Sequence, residues 1–168
     1  MSSNKFKPHL LVLPEDDANQ QIATGFTLNP ALDQRNITIL RPFGGWMKTV
    51  DAFTANNFYE MRRYHQRRVL LLVDFDGHAA ERLEFIQNQI PQDLEDRTFV
   101  FGSFSDPENL KTAMGMHFEA IGQALAQDCA EDRYTTWKHD LLMHNQSELG
   151  RMVASVRPFL FEESAAQL

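Results

Sequence analysis

The sequence predicts an α/β protein: a three-layer sandwich with a mainly parallel four-stranded sheet and a C-terminal helical pair. Two observations predict it. Four short apolar runs, His9 to Leu13, Ile37 to Leu40, Val69 to Val73 and Thr98 to Phe101, lack strict polar alternation. Such runs suit strands covered on both faces, as in a parallel sheet. Amphipathic stretches of helical period fill the gaps, and strands that alternate with helices imply crossover connections packed on the sheet.

The elements follow in order. Residues 16 to 26 read as a helix with Ile22 and Phe26 on one face. Met47 to Tyr64 reads as one helix carrying Val50, Phe53, Phe58 and Met61. Ala79 to Ile90 presents Leu83, Ile86 and Ile90, and Pro91 ends it. Beyond the fourth strand, Met114, Phe118, Ile121 and Leu125 share one helical face. Trp137, Leu141, Leu149, Met152, Val153 and Val156 share another, stopped by Pro158. The expectation is a single domain over 1–168, with a core at 8–110 and a helical extension at 111–158. Met1 to Lys7 and Glu162 to Leu168 are polar and expected to fray.

Composition narrows the class. The 168 residues are 43% hydrophobic, enough for a packed core, with thirteen Phe supplying bulk. A net charge of -7 excludes a surface that attracts nucleic acid everywhere, although acids awaiting divalent cations would contribute to such a balance. The single cysteine, Cys129, permits no intrachain disulfide and reads as a small core residue. No signal peptide is visible, and no stretch approaches the ~20 apolar residues of a membrane span. A soluble, cytoplasmic protein is expected.

Ligands in open parallel sheets bind outside the carboxyl ends of the strands. The first strand runs into Glu15, Asp16 and Asp17, the third into Asp74-Phe75-Asp76-Gly77-His78, and the fourth into a loop with Asp106 and Glu108. Gathered carboxylates repel one another unless a cation or proton sits between them. Hard oxygen ligands select Mg²⁺ or Mn²⁺. Asp74 and Asp76 are expected to point the same way, as residues i and i+2 of a strand do, with Phe75 turned into the core. Gly77 permits a sharp turn into the next helix.

This order of motifs resembles the toprim domains of topoisomerases, bacterial primases, ribosomal-RNA maturases and overcoming-lysogenization-defect-type nucleases. The matching segments are Leu11 to Asp17, Phe43-Gly44-Gly45 and Leu71 to Asp76, within residues 8 to 110. Many toprim domains place Gly after the Glu; here Asp16 follows. The resemblance implies a toprim-like, Rossmann-like sandwich and Mg²⁺-dependent phosphoryl transfer on nucleic acid, with the small nucleases as the closer comparison. It implies Asp74 and Asp76 as metal ligands, Glu15 as a ligand or general acid/base, and Glu108 as an extra ligand. Gly44 and Gly45 are candidates for a backbone nest beside a phosphate, with Lys48 as a phosphate contact and His78 as a catalytic neighbour.

Plainer roles are assigned to other residues. Asp16 and Asp17 suit helix N-caps, with Gln20 or Gln21 completing a capping box. Arg62, Arg63, Arg67 and Arg68 form the densest basic run, which precedes the third strand and is expected as a solvated helix end away from the acids. His139 and His144 are expected on the surface or at a cap.

Three rival functions stand beside the nuclease. Asp74-Phe75-Asp76-Gly77 also resembles the nucleophile motif of haloacid dehalogenase-type phosphatases, although that family normally begins with this strand. The acids after strands one and three resemble a receiver domain, which lacks its later lysine here. The third rival is a non-catalytic toprim-like metal-binding module that serves a protein partner such as an ATPase.

Overall fold

The computed structural model describes residues 3–161. Four strands, β1 (His9–Pro14), β2 (Ile37–Ile39), β3 (Arg67–Leu72) and β4 (Thr98–Phe101), form one sheet in the order β2-β1-β3-β4. Every pairing is parallel. The helices are α1 (Asp17–Thr27), α2 (Trp46–Ala52), α3 (Phe58–Arg63), α4 (Ala79–Asn88), α5 (Pro107–Met114), α6 (Phe118–Glu131) and α7 (Gln146–Leu160). No helix of the described residues is long and apolar enough to cross a membrane.

Strand alternation divides the apolar side chains into two cores. Leu10, Val12, Leu70 and Phe99 pack with Ile22 of α1, Ile121 of α6 and Met152 of α7. Leu11, Leu13, Val69 and Leu71 pack with Val50 of α2, Met61 of α3 and Ile86 of α4. Both sheet faces are covered, which explains the unbroken apolar runs. Connection α1 runs to one side of β1 and the α2–α3 connection runs back on the opposite face, as same-handed crossovers require.

The helices depart from the sequence expectation in four places. The expected Met47–Tyr64 helix contains a π-turn at Phe53–Asn57. Residues five apart on an α-helix stand about 140° from each other. The widened turn instead brings Phe53 and Phe58 together, with ring centroids 5.1 Å apart. The Met114 to Leu125 stripe is split between α5 and α6 at Gly115, whose φ of 62° reverses the chain. Trp137 and Leu141 precede α7 rather than lying on it. Buried Asp128 holds this segment by accepting the Thr136 and Trp137 N–H groups at 2.6 and 3.2 Å. Pro158 lies within α7 instead of stopping it. In the last turn a proline removes only one intrahelical bond.

Two other expectations change. Met1, Ser2 and Glu162 to Leu168 lie outside the described residues. Asn4 to Lys7 are exposed, but two contacts reach the body of the fold: Ser3 N–H donates to Thr38 Oγ1 at 3.2 Å, and Phe6 packs edge-on against Tyr64. The basic run is not uniformly solvated. Arg62 is exposed and pairs with Asp93, but Arg67 opens β3 and is buried, and Arg68 is half-buried against Ser155. The run does lie at the N-terminal edge of β3.

The C-terminal helices close the sheet. Edge strand β4 would leave backbone groups open to another chain. Side chains on and just before α7 take them instead. Arg151 Nη2 donates to Thr98 O at 2.9 Å, Val100 N–H donates to Glu148 Oε2 at 3.0 Å, and Gly102 N–H donates to Asn145 Oδ1 at 3.2 Å. His144, expected on the surface or at a cap, is half-buried between Phe75 and Phe104, its Nε2 2.8 Å from Gly102 O. His139 Nδ1 accepts the Leu141 N–H at 3.1 Å, a local cap. Cys129 is a core residue, and burial pushes its thiol up to about 12.

On the opposite side of that core, α1 and α6 touch backbone to backbone. A Cβ at Gly122 would lie 2.0 Å from Ile22 O, and one at Gly25 would lie 2.0 Å from Glu119 O.

Glu148→Ala leaves the Val100 N–H without its charged acceptor and is expected to cost about 2–3 kcal/mol in urea denaturation. Gly122→Ala would favour an isolated helix by about 1 kcal/mol. Here it is expected to destabilise by about 1–3 kcal/mol, because α1 must move away.

Candidate metal centre

The strand order reverses at β1: α1 leads outward to β2, whereas β3 and β4 lie on the other side. The carboxyl ends of β1 and β3 therefore flank a topological switch point, the usual ligand crevice of an open α/β sheet. Glu15 and Asp16 follow β1 directly, and Asp74 lies two residues beyond β3.

Backbone pairing carries these residues past the strand ends. Glu15 N–H donates to Leu72 O at 2.9 Å, and Val73 N–H donates to Phe101 O at 2.9 Å. The next rung is made by a side chain: Asp74 N–H donates to Glu15 Oε2 at 2.6 Å. The Glu15 carboxylate thus replaces the backbone carbonyl that a longer β1 would have offered. Phe75, fully buried as expected, anchors the far side of Asp74 in the core.

Asn19 fastens the third carboxylate. Asp16 caps α1, its Oδ1 accepting the Asn19 N–H at 2.8 Å and Nδ2–H at 3.0 Å. The same Nδ2 group donates to Asp74 Oδ1 at 2.9 Å. One carboxylate oxygen each from Glu15, Asp16 and Asp74 lies within 4.8 Å of the others. Glu15 Oε1 accepts no hydrogen bond from the described residues, while Asp16 and Asp74 are close enough to share a proton in a side-chain hydrogen bond. Opposite ligands on one Mg²⁺ stand about 4.2 Å apart. The cluster is thus the right size for a divalent cation with a small inward adjustment.

The electrostatics agree with that chemistry. Burial pushes Asp74 up to about 8; the Asn19 bond opposes this, and the charges of Glu15 and Asp16 add to it. Glu15 is also raised, first by burial, against the lowering effect of the Asp74 N–H bond. Without a cation, Asp74 holds a proton near neutral pH.

The other candidates are placed differently. Asp76 is outside the group of three. The strand ends at Leu72 and Asp76 has a φ of 47°, so the i, i+2 alternation no longer applies. Its carboxylate is half-exposed and pairs with Arg82 Nη1 at 2.8 Å, near enough to Glu15 to raise it further. Gly77 turns the chain as expected, with a φ of 78°. Glu108 is exposed in the first turn of α5, apart from the three acids. Gly44 and Gly45 do not form an open nest: their N–H groups donate to Glu15 O at 2.8 and 3.3 Å. They lock the β1 end instead. Lys48 is exposed beside Gly44. His78 is exposed, its Nδ1 3.7 Å from Glu81.

Sequence reasoning gave Asp16 only its capping role and missed Asn19 and Arg82. Asn19 at the third helical position after an Asp N-cap was a usable signal, because capping-box geometry returns that side chain to the cap. It takes the place expected for Gln20 or Gln21. Arg82 had no local signal. Its Nη1 also donates to Asp74 O at 2.6 Å, and its guanidinium lies 4.5 Å from the Trp46 ring centroid.

No family model, curated protein or solved structure matches this chain. The fold and site define an α/β protein with a buried acidic cluster, able to hold a metal ion, at the switch point of a parallel sheet.

The raised Asp74 value has a definite sign. The folded state keeps its proton where the unfolded state has lost it, so this stabilisation is complete below about pH 4 and is lost as pH rises toward 8. In EDTA, the melting temperature is expected to fall across that window. Asp74→Asn is expected to flatten the fall and to raise the melting temperature at pH 8 by about 4 °C. A wild-type profile as flat as the variant's would show that Asp74 carries no such strain.

Proposed function

We propose that this protein performs Mg²⁺- or Mn²⁺-dependent phosphoryl transfer on nucleic acid, as a toprim-type nuclease. The observation that carries the reading is the convergence of Glu15, Asp16 and Asp74 oxygens within 4.8 Å at the switch point. Their all-oxygen donor set suits a hard cation rather than zinc. A bound cation would neutralise a phosphodiester and lower the pKa of bound water.

The chain's own residues have separable roles. Glu15 positions the Asp74 backbone through its 2.6 Å bond and supplies a ligand oxygen or a proton-transfer group. Asn19 orients Asp16 and Asp74 together. Arg82, packed on Trp46, is the cation nearest the acids and would meet phosphate charge on the rim beside Asp76. Lys48 supports the same edge from the α2 side.

A second reading is a non-catalytic metal-binding module that serves a protein partner. The placement of the basic run favours it: Arg62 is paired with Asp93, and Arg67 and Arg68 lie at the opposite sheet edge. No arginine-rich groove flanks the acids among the described residues.

Incubation with single- and double-stranded DNA and RNA in Mg²⁺ or Mn²⁺ tests the first reading. Cleavage is expected, reduced at least ~100-fold by Glu15→Gln and by Asp74→Asn. Calorimetry on the same variants follows metal binding independently. Metal binding without cleavage would favour the partner module. Hydrolysis of phosphomonoesters alone would indicate the phosphatase instead. Absence of both metal binding and cleavage would overturn both metal-based readings.

A further inference from the structure

A cleft of about 370 Å³, mostly apolar with a charged end, lies between the β1–β2 side of the sheet and the α2–α3 connection. That volume is within the range of small-molecule sites. Its charged end is formed by His9 and Arg67, at the starts of β1 and β3. Leu11, Leu40 and Phe43 form an apolar wall farther along. The acids occupy the carboxyl ends of these strands, so the charged end is a separate site.

Arg67 is unusual for a buried cation. It is only 7% exposed. Its Nε–H donates to His9 Nε2 at 3.0 Å, while His9 Nδ1 lies 2.8 Å from Lys7 O. This pattern requires a neutral His9 with its proton on Nδ1; burial also holds the His9 pKa below the ordinary value. The guanidinium lies 5.5 Å from the Tyr64 ring centroid. Its terminal nitrogens make no hydrogen bond among the described residues, and Nη1 forms only a long ion pair, 3.8 Å, with Glu60 Oε2. Buried charge normally requires close pairing and complete hydrogen bonding.

Asn57 presents its amide to the same cleft. It is 7% exposed, lines the cleft, and its amide makes no hydrogen bond among the described residues. It ends the π-turn, an irregularity frequent at functional sites. Arg67 and Lys5 supply two positive charges at the cleft against one negative charge from Glu60, with His9 neutral. These donors reach the open space of the cleft rather than being sealed from it, and with the remaining positive charge they suit an oxyanion.

We propose that this cleft binds a small organic anion, with a carboxylate or phosphate head on the Arg67 fork and Asn57 amide and a compact apolar body against Leu11, Leu40 and Phe43. His9 acts as a positioning residue that fixes the guanidinium. The site is independent of the proposed phosphoryl-transfer chemistry.

The test is a ¹H–¹⁵N titration of the full chain in EDTA with benzoate and phenyl phosphate, so that metal at the acids cannot contribute. Progressive shifts are expected at the Asn57 side-chain amide and Arg67 Nε–H, and the stronger probe identifies the head group. Arg67→Lys keeps the charge but loses the fork, and is expected to weaken binding at least ~10-fold. Asn57→Ala provides a second variant if Arg67→Lys does not fold. No shift at these groups with about 10 mM of either probe, shifts confined to the Asp74 edge, or unchanged affinity in the folded variants would overturn the proposal.

Discussion

The parallel pairing of β1 with β3 is the constraint on which the remaining structure depends. It places two largely buried strands side by side and brings their carboxyl ends together. The Glu15 side chain then continues the ladder where backbone pairing stops, accepting the Asp74 N–H at 2.6 Å. The interaction that closes the sheet there also gathers the acids. Structure and candidate chemistry therefore share one hydrogen bond.

That arrangement concentrates negative charge in a poorly solvated place. Charges so close raise one another's proton affinity, and burial adds to the effect. The fold meets part of this cost with Asn19, which donates to both Asp16 and Asp74, and with Arg82, which bonds Asp74 O and pairs with Asp76. A hard cation would offset more. At the other end of the strands the imbalance is reversed: Arg67 is largely buried, and its ion pair with Glu60 is long at 3.8 Å. Both ends of the same strand pair thus hold charge that the chain itself does not fully compensate.

The periphery follows the same economy of polar groups. Edge strand β4 is covered by Arg151, Glu148 and Asn145, whose side chains replace the backbone of a neighbouring strand. The C-terminal helices therefore belong to the sheet's hydrogen bonding as well as to its packing. Gly25 and Gly122 let α6 approach α1 closely enough to complete the core on that face.

The sequence by itself determined the α/β class, the four strands and their burial on both faces, because unbroken apolar runs report a local requirement for cover. It also identified Glu15 and Asp74 as acids at strand ends on one edge of the sheet, and Phe75 as the core anchor between Asp74 and Asp76. It misplaced what depends on geometry beyond the strands. The positive φ at Asp76 broke the expected two-residue alternation and handed that carboxylate to Arg82. The Gly44 and Gly45 N–H groups turned to Glu15 O, which no local pattern announces. Asp16 was legible as a cap but not as a partner of Asp74, because Asn19 makes that link across 55 residues of chain. The burial of Arg67 was hidden in a basic run that looked solvated. Periodicity records which face of an element is covered; only the tertiary structure decided which charged groups face one another, because those distances are set by strand order and by the loops beyond the strand ends.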